Sequence, residues 1–451
     1  MYLAPMRAQF LVAAPHSGAG KTTVTLGLLR AFRRQGLRVQ PFKCGPDYID
    51  PIHHRTAADT DSINLDGFMM SAGHIRELYA RHGAGADVIL TEGVMGLFDG
   101  SRKNEGSSAA LAILLDLPVV LVLNAKAMAY SAAALLFGLK NFDPRLRIAG
   151  AIFNFVDSPS HYRLLQEACA DVGVTPLGHL PNNAALRIPS RHLGLDTANA
   201  DAAIEAAADH LTRHLDLPAL LSATALPSAT TLLSATTTAP QTATVRPTAA
   251  APLSAGPPAP QAPLCLGRAS GFRRILIARD AAFHFLYPEN IRTLEQWGHI
   301  EFFSPLTATN LPKNIDLLYL PGGYPELYLE QLSQNKTLLQ DIRGYAEEGG
   351  KILAECGGMM FLGHTITDAN GQPWPTAGVL DIATTLSPKK LTLGYRTTEI
   401  NGHPVKGHEF HYSQYAGPAP TNPLFLEPSL LAGYMHFYWG EDPTALFSWL
   451  G

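Results

Sequence analysis

Several stretches of this sequence carry residue types that could do chemistry, and the first is "AAPHSGAGKTT". Glycines at 18 and 20 precede Lys21 and Thr22, between an apolar strand pattern and a helical pattern. Glycines let backbone N–H groups close on a phosphate, a lysine reaches the terminal phosphates, and a threonine hydroxyl can bind Mg²⁺. Pro15 stands where the GxxxxGK[ST] pattern has its first glycine, but the flanking strand and helix fit. The stretch therefore predicts a nucleotide-binding site formed by Gly18, Gly20, Lys21, Thr22 and Thr23.

A second stretch in the N-terminal half of the chain contains two carboxylates. "TEGVMGLFDG" ends a strand pattern with Glu92 and continues to Asp99. A carboxylate at the end of a parallel strand beside a phosphate loop can bind Mg²⁺ or position a reacting group. We therefore predict that Glu92 and Thr22 bind a metal, whereas Asp99 fits a solvated strand end nearly as well.

The stretch "FKCGPDYIDP" places a lysine and two carboxylates around a Gly-Pro turn. Such a loop could bind a metal and a polyanionic substrate together, although Gly-Pro-Asp turns are also common where nothing binds. Cys44 within it fits a small buried thiol better than a ligand. We predict that the loop contacts substrate and assists phosphoryl transfer through Lys43, Asp47, Tyr48 and Asp50.

The second half of the chain contains the stretch "ILAECGGMMFLG", in which Cys356 could be a buried thiol, a metal ligand or a nucleophile. It stands where a buried strand pattern turns into a helical pattern. Such a turn projects the side chain, the following glycines permit the backbone bend, and the helix N-terminus lowers a thiol pKa and offers N–H donors to an oxyanion. The turn therefore favours the nucleophile. A metal is disfavoured, because the other cysteines lie far away and form no CxxC pair.

A thiol nucleophile also needs a base and a site for an oxyanion. Three histidines of the same half are candidate bases: His408, His411 and His436. "YLPGGYPELY" ends another strand pattern with Gly322 and Gly323. Their N–H groups could face a developing negative charge, or the glycines could only form a turn.

The elements that must position these residues alternate along the chain. Strand patterns at 10–14, 87–91, 119–123 and 148–153 alternate with helical patterns in the first half, and strand patterns at 274–278, 317–320 and 352–354 do so in the second. This alternation predicts an α/β protein with two doubly wound domains, with antiparallel additions after residue 391. The stretch 218–268 is rich in Ala, Thr, Pro and Ser and predicts a flexible linker between domains 1–217 and 269–451.

Composition limits the classes of function. The chain has 451 residues, of which 46% are hydrophobic, and a formal net charge of −4. Lys and Arg are scattered, so no basic stripe is offered to nucleic acid or anionic lipid. No segment has the length and apolar character of a membrane span, and unpaired, dispersed cysteines are typical of a reducing compartment. We therefore predict a cytoplasmic protein with a small-molecule partner and without nucleic-acid or membrane partners.

Eight motifs, in this order along the chain, resemble one known family. They are "KTTVTLGLLRAF", "FKCGPDYIDP", "TEGVMGLFDG", "RHLGL", "ARDAAFHFLYPEN", "LPGGYPELY", "AECGGMMFLG" and "GHEFHYS". Together they resemble the cobyrinic acid a,c-diamide synthases of cobalamin biosynthesis. The resemblance implies an ATP-binding amidoligase domain similar to dethiobiotin synthetase, joined to a class I glutamine amidotransferase domain of the cobyric acid synthase type. It implies Mg²⁺, ATP and L-glutamine, a corrinoid polycarboxylate as substrate, and allows a homodimer.

The same resemblance implies a role for each site residue. Cys356 is implied to take the glutamine amide as a γ-glutamyl thioester, with His436 as its base and Gly322 and Gly323 as the oxyanion loop. ATP is implied to phosphorylate a substrate carboxylate, from which ammonia then displaces phosphate. The residues implied to serve that half are Lys21 and Thr22 in the ATP loop, and Asp47, Asp50 and Glu92 near the acceptor carboxylate and Mg²⁺.

Two positions depart from the family's relatives. Tyr438 stands where most class I amidotransferases have an acidic residue two positions beyond the histidine, so the sequence does not identify the group that orients His436. His16 stands where many relatives of the ATP domain have a lysine. Three alternatives stay open: the same amidation of hydrogenobyrinic acid, the same amidation of a nickel tetrapyrrole, and a nucleotide-switched regulatory protein with an inactive amidotransferase domain.

Overall fold

The computed structural model describes residues 6–183, 186, 197–227 and 273–451. Its N-terminal half is built on one eight-stranded sheet. The strands are β1 (Met6–Ala13), β2 (Val39–Cys44), β3 (Ile63–Leu65), β4 (Val88–Glu92), β5 (Pro118–Asn124), β6 (Arg147–Asn154), β7 (Pro176–Leu180) and β8 (Ala225–Pro227).

Seven of these strands run parallel, in the order β3-β2-β4-β1-β5-β6-β7. β2 and β4 are buried along their whole length, as expected for parallel strands covered on both faces. The carboxyl ends of parallel strands meet at one edge of a sheet. The loops after β1 and β2 and the end of β4 therefore lie side by side at that edge.

Helices connect and cover the strands of this sheet. The helix after the glycine-rich loop begins at Lys21. Ser158 caps the sixth helix by accepting the N–H of His161 at 3.2 Å, and Gly173 ends it at φ 62°. The helices are α1 (Lys21–Arg34), α2 (Ile49–Ala58), α3 (Ala72–Gly83), α4 (Ser108–Leu114), α5 (Ala132–Asn141), α6 (Pro159–Val172), α7 (Thr197–His214) and α8 (Leu217–Ala223).

The start of the predicted linker differs from the structure. Residues 218–227 belong to the N-terminal domain, because α8 spans the predicted boundary and β8 pairs antiparallel with β1. Asp216 caps α8 by accepting the N–H of Ala219 at 2.9 Å, and Leu217 and Leu220 are buried in the core. The composition of the whole stretch concealed this local helix signal. The rest of the predicted linker, 228–268, lies outside the described residues, and the domain division remains a prediction.

The C-terminal half is built on a six-stranded sheet in the order β10-β9-β11-β12-β20-β19. Its strands are parallel except for the last, which runs antiparallel to its neighbour. This confirms the prediction of a second α/β domain. The strands are β9 (Arg274–Ala278), β10 (His299–Phe303), β11 (Leu317–Leu320), β12 (Lys351–Glu355), β19 (Leu424–Glu427) and β20 (Leu430–Gly433).

Antiparallel additions and short helices complete this half. A four-stranded sheet contains β13 (Thr365–Thr367), β14 (Pro373–Pro375), β15 (Ala383–Thr385) and β18 (Gln414–Tyr415), and a three-stranded sheet contains β16 (Thr392–Ile400), β17 (His403–His411) and β21 (His436–Phe437). The helices are α9 (Pro288–Glu295), α10 (Leu329–Gln334), α11 (Lys336–Glu347), α12 (Gly357–Leu362) and α13 (Thr444–Leu450), with a 3-10 turn at Pro325–Leu327. None of the helices in the described ranges combines the length and the apolar character that crossing a bilayer requires.

The two domains pack against each other through side chains. The hydroxyl of Tyr395 donates a hydrogen bond of 2.6 Å to Asp66, and Arg81 pairs with the buried Glu289 at 2.5 Å. One buried apolar cluster contains residues from both halves. The C-terminal domain contributes to it Phe285, Tyr287 and Tyr438.

Candidate active site

The glycine-rich loop after β1 has the backbone that a phosphate loop requires. Gly18 and Gly20 have φ angles of 82° and 104°, in the region that favours glycine. A Cβ atom on Gly20 would lie 2.2 Å from Nδ2 of Asn154, so the loop also needs glycine for space. α1 starts at the next residue, and its first N–H groups are available to an anion.

This loop opens onto a cavity of about 880 Å³ at the carboxyl edge of the sheet. The volume is large enough for a nucleotide together with part of a second substrate. The cavity brings together nine predicted residues: Gly18, Gly20, Lys21, Thr22, Thr23, Lys43, Asp47, Asp50 and Glu92. Asp99 has a different place, since its carboxylate accepts the N–H of Gly96 at 3.0 Å and holds the turn after β4.

Lys43 is a buried cation in the wall of this cavity. Its Nζ lies 2.5 Å from Asp50, 3.2 Å from Glu92 and 3.9 Å from Asp47. Burial alone would lower the pKa of Lys43, but the three carboxylates raise it well above its ordinary value. Lys43 is therefore charged, and it offsets part of the negative charge of the three carboxylates at the cavity wall.

Glu92 is a second charged side chain of the cavity wall that its neighbours hold in place. Its two oxygens lie 2.7 Å from Oγ1 of Thr22 and 2.6 Å from Nε2 of His54. Burial raises the pKa of Glu92, but the charge of Lys43 and the hydrogen bond with His54 lower it by more. The net shift of this pKa is downward, so the carboxyl group is ionised at neutral pH. Sequence reasoning missed His54, because nothing in "PIHHR" indicates which histidine turns towards the strand.

The donors at this position fit a magnesium ion. Mg²⁺ prefers oxygen ligands and takes one or two from the protein, with phosphates and waters completing its shell. Thr22 and Glu92 supply two oxygens beside the loop. Among the described residues, this position included, no group of three or more His, Cys, Asp or Glu side chains is arranged to hold a metal.

Cys356 stands at a sharp turn in the second domain. It follows β12 and precedes α12, with φ 48° and ψ −106°, a positive φ that is rare and costly for a residue other than glycine. The N–H of Cys356 donates to the carbonyl of Gly433 at 2.7 Å, which ties the turn to β20. Burial, followed by the nearby Glu326, raises the pKa of the thiol. The thiol therefore needs a neighbouring base to become a nucleophile.

The two glycines after β11 face this turn. A Cβ atom on Gly322 would lie 2.2 Å from Cε1 of His436, and one on Gly323 would lie 2.0 Å from the carbonyl oxygen of Ala282. A Cβ on Gly357, the residue after the cysteine, would lie 3.2 Å from the N atom of Gly323. The structure thus brings the glycine pair, the cysteine turn and one histidine to the same edge of the C-terminal sheet.

The three candidate bases have different surroundings. His411 stacks on Tyr434 with ring centroids 3.8 Å apart, and His408 stacks on His436 at 5.0 Å. Of the three, His436 is the one whose ring meets the backbone of Gly322. Its two ring nitrogens are buried and form no hydrogen bond with any described residue, and burial lowers its pKa well below its ordinary value. A neutral imidazole with an open nitrogen can accept a proton from a thiol.

Tyr48 lies between the two sites. Lys43, Asp47 and Asp50, with which it was predicted to contact substrate, line the first cavity, but Tyr48 does not. Its ring lies 4.8 Å from that of Phe285, 4.6 Å from that of Tyr287 and 5.2 Å from that of His436. Asp47, the preceding residue, turns the other way and accepts the N–H groups that begin α2. The prediction placed Tyr48 with the carboxylates because a loop sequence does not show the direction of each side chain.

Comparison with known proteins places both halves in named families. A family model described as "CobQ/CobB/MinD/ParA nucleotide binding domain" matches residues 10–195, and one described as "CobB/CobQ-like glutamine amidotransferase domain" matches residues 274–442. The hydrogenobyrinate a,c-diamide synthase of Brucella suis biovar 1 is 42% identical, over 92% of this chain and 91% of that protein. The protein of the same name from Rhodobacter capsulatus is 40% identical, over 89% and 88%. The cobyrinate a,c-diamide synthase of Caldanaerobacter subterraneus subsp. tengcongensis is 36% identical, over 90% and 87%.

Proposed function

The chain belongs to the family of cobyrinate and hydrogenobyrinate a,c-diamide synthases, and from that premise we propose that it amidates the a and c acetate carboxylates of a corrinoid polycarboxylate. As a member it is a glutamine-hydrolysing carbon–nitrogen ligase that uses ATP and glutamine. One observation carries the proposal. The segment after β2 that holds Asp47 and, in the first turn of α2, Asp50 in the first cavity also places Tyr48 against His436 of the second site. Such an arrangement suits two half-reactions that exchange an intermediate.

The first half-reaction uses the cavity beside the glycine loop. The γ-phosphoryl group of ATP passes to a carboxylate oxygen of the corrinoid, which yields an acyl phosphate and ADP. Lys21 and the first N–H groups of α1 bind the phosphates, and Lys43 offsets negative charge at the acceptor. Thr22 and Glu92 would hold Mg²⁺, which neutralises phosphate charge when it is bound.

The second half-reaction uses the edge of the C-terminal sheet. Sγ of Cys356 attacks the amide carbon of glutamine while His436 takes the thiol proton, and the N–H groups of the Gly322–Gly323 loop receive the oxyanion. His436 returns the proton to the departing ammonia, and water then releases glutamate from the thioester. Ammonia attacks the acyl phosphate in the first cavity and displaces phosphate. Because protonated ammonia is not a nucleophile, a covered path between the two sites favours the amidation.

The metal state of the corrinoid is the finer part of the proposal. Relatives named for the metal-free acid and for the cobalt-containing acid both align with about nine-tenths of this chain. Amidation of either acid requires the same residues, because the acetate side chains and not the ring centre react. Parallel assays with cobyrinic acid, hydrogenobyrinic acid and a nickel tetrapyrrole would identify the substrate. A cytoplasmic location and a homodimer remain predictions.

The replacement Cys356→Ala tests the two-site scheme. We expect the variant to lose glutamine hydrolysis and glutamine-dependent amidation, because the attacking sulfur is gone, and to keep amidation with ammonium chloride. Cys169→Ala, at a buried thiol of the other domain, is the matched control and should keep both activities. Continued glutamine hydrolysis by Cys356→Ala would refute the nucleophile, and a failure of ammonium chloride to restore product would refute the separate synthetase site. A wild-type protein that binds ATP but forms no amide would support the regulatory alternative.

A further inference from the structure

The glutaminase site needs a group that holds the imidazole of His436 in one orientation. A catalytic histidine is usually oriented by a hydrogen bond to its second nitrogen. Position 438, two residues after His436, is a tyrosine, and its hydroxyl lies 2.8 Å from Nε2 of His74 in the other domain. Tyr438 is therefore engaged at the domain interface.

A carboxyl group reaches the imidazole from another direction. Oε2 of Glu355 lies 4.0 Å from Nδ1 of His436, and the two side chains are 0% and 1% exposed. Glu355 is the last residue of β12 and directly precedes the cysteine turn. The ring nitrogens of His436 make no hydrogen bond with another described residue. Glu355 is thus the acidic group that the structure pairs with this ring.

The carboxyl group is itself held in place by two hydrogen bonds. Oε2 accepts the hydroxyl hydrogen of Tyr319 at 2.8 Å, and Oε1 accepts the N–H of Phe437 at 3.2 Å. Phe437 follows the histidine in β21, so this second bond ties the carboxyl group to the strand that carries the ring. The two donors lie in different strands, and together they hold the carboxyl group in a single orientation.

We infer that Glu355 is the positioning residue of the glutamine-hydrolysing site: with Oε2 at 4.0 Å from Nδ1 of His436, its carboxylate favours the tautomer that carries the proton on Nδ1, which leaves the Nε2 lone pair to take the proton of Cys356. This inference rests on the proposed function. A carboxylate beside Nδ1 selects that tautomer and stabilises the imidazolium ion that forms when Nε2 is protonated. The residue before the nucleophile thus replaces the acidic residue that most class I amidotransferases have after the histidine.

The total charge of Glu355 and His436 should depend on pH. Burial raises the pKa of Glu355 to about 8, so the carboxylate forms as the pH rises through that value. Burial raises the pKa of the neighbouring tyrosines, which stay protonated, and it raises the pKa of the Cys356 thiol. Burial lowers the pKa of His408 and of His411. Glu326 also titrates nearby, since burial raises its pKa to about 7. The titratable groups that interact with Glu355 or His436 are Tyr48, Tyr287, Tyr319, Cys356, His408 and His411, whereas Glu326 and Glu409, the latter paired with Arg396, act on the thiol of Cys356.

Glu355→Gln keeps the shape of the side chain and removes its charge. We expect kcat for glutamine hydrolysis to fall about 100-fold, the scale of general-base catalysis, with KM for glutamine changed little. The rise of kcat/KM through about pH 8 should disappear, because the titrating carboxyl is gone. Amidation with ammonium chloride should be unchanged, and Glu355→Asp should recover part of the lost kcat.

Glu326→Gln is the control, since it removes a half-buried carboxyl group that acts on the thiol of Cys356, whereas His436 is paired with Glu355. It should retain the rise near pH 8. A wild-type kcat and pH profile in Glu355→Gln would overturn the inference, as would an equal loss of ammonia-dependent amidation, which would show a structural role alone. Loss of the rise in Glu326→Gln but not in Glu355→Gln would also overturn it. A wild-type protein that hydrolyses no glutamine would overturn the proposed function itself.

Discussion

The replacement Gly322→Ala probes the contact between the glycine loop and His436 with one added carbon atom. The new Cβ would lie 2.2 Å from Cε1 and 3.0 Å from Nδ1 of the ring, whereas ordinary contact begins at 3.4 Å. Gly322 does not have a positive φ, so alanine meets no backbone strain. The imidazole therefore has to retreat by about 1 Å, a displacement that costs a positioned catalytic group about 100-fold in rate.

The assay compares two sources of ammonia. Gly322→Ala should lower kcat/KM for glutamine about 100-fold and leave amidation with ammonium chloride unchanged, because the phosphate cavity lies in the other domain. Overpacking should also lower the free energy of unfolding by about 1–3 kcal/mol, which a Tm measurement checks.

Gly344→Ala supplies the matched control for this experiment. Gly344 lies in α11, and an added Cβ there would meet no atom within 4 Å. Alanine favours a helix over glycine by about 0.5–1 kcal/mol, so this variant should be at least as stable as the wild type and fully active. The reasoning would be refuted if Gly322→Ala hydrolysed glutamine at the wild-type rate, or if it lost both ammonia sources equally while remaining folded.

Two further replacements test the cavity and its connection. Lys43→Met should lower the free energy of unfolding by about 3–5 kcal/mol, since it leaves buried carboxylates uncompensated, and it should abolish amidation with either ammonia source. Lys126→Met, at an exposed lysine of the same domain, is the control. Amidation with ammonium chloride by Lys43→Met would contradict the role assigned to Lys43. Tyr48→Ala should raise the amount of glutamine hydrolysed per amide formed and destabilise the protein by about 3–5 kcal/mol, whereas Tyr48→Phe keeps the ring and should do neither. An unchanged ratio in a folded Tyr48→Ala would exclude Tyr48 from the coupling.

Local patterns predicted most of the elements correctly. The buried strand β5 and its flanking helices follow from an apolar run interrupted by polar residues, and the described strands at 274–278 and 317–320 have the predicted bounds. The composition of 218–268 was a less reliable guide. It averaged over most of the helix Leu217–Ala223, which Asp216 caps from outside the stretch, so the predicted linker begins too early. An N-cap followed by proline in the first helical turn was the signal that would have corrected it.

The sequence by itself determined the parts whose chemistry is local. The glycine-rich loop, the cysteine turn and the order of eight motifs each lie within a few neighbouring residues, and the family they indicate is confirmed by relatives that cover about nine-tenths of the chain.

Only the tertiary structure decided which distant side chains meet. It placed the ring of His436 against Gly322, turned Tyr48 towards the other domain, and brought Glu355 to within 4.0 Å of the imidazole. The physical reason is that these contacts join strands and loops far apart in sequence. Their geometry is set by sheet order and by the packing of one domain on the other, which no local spacing of residue types records.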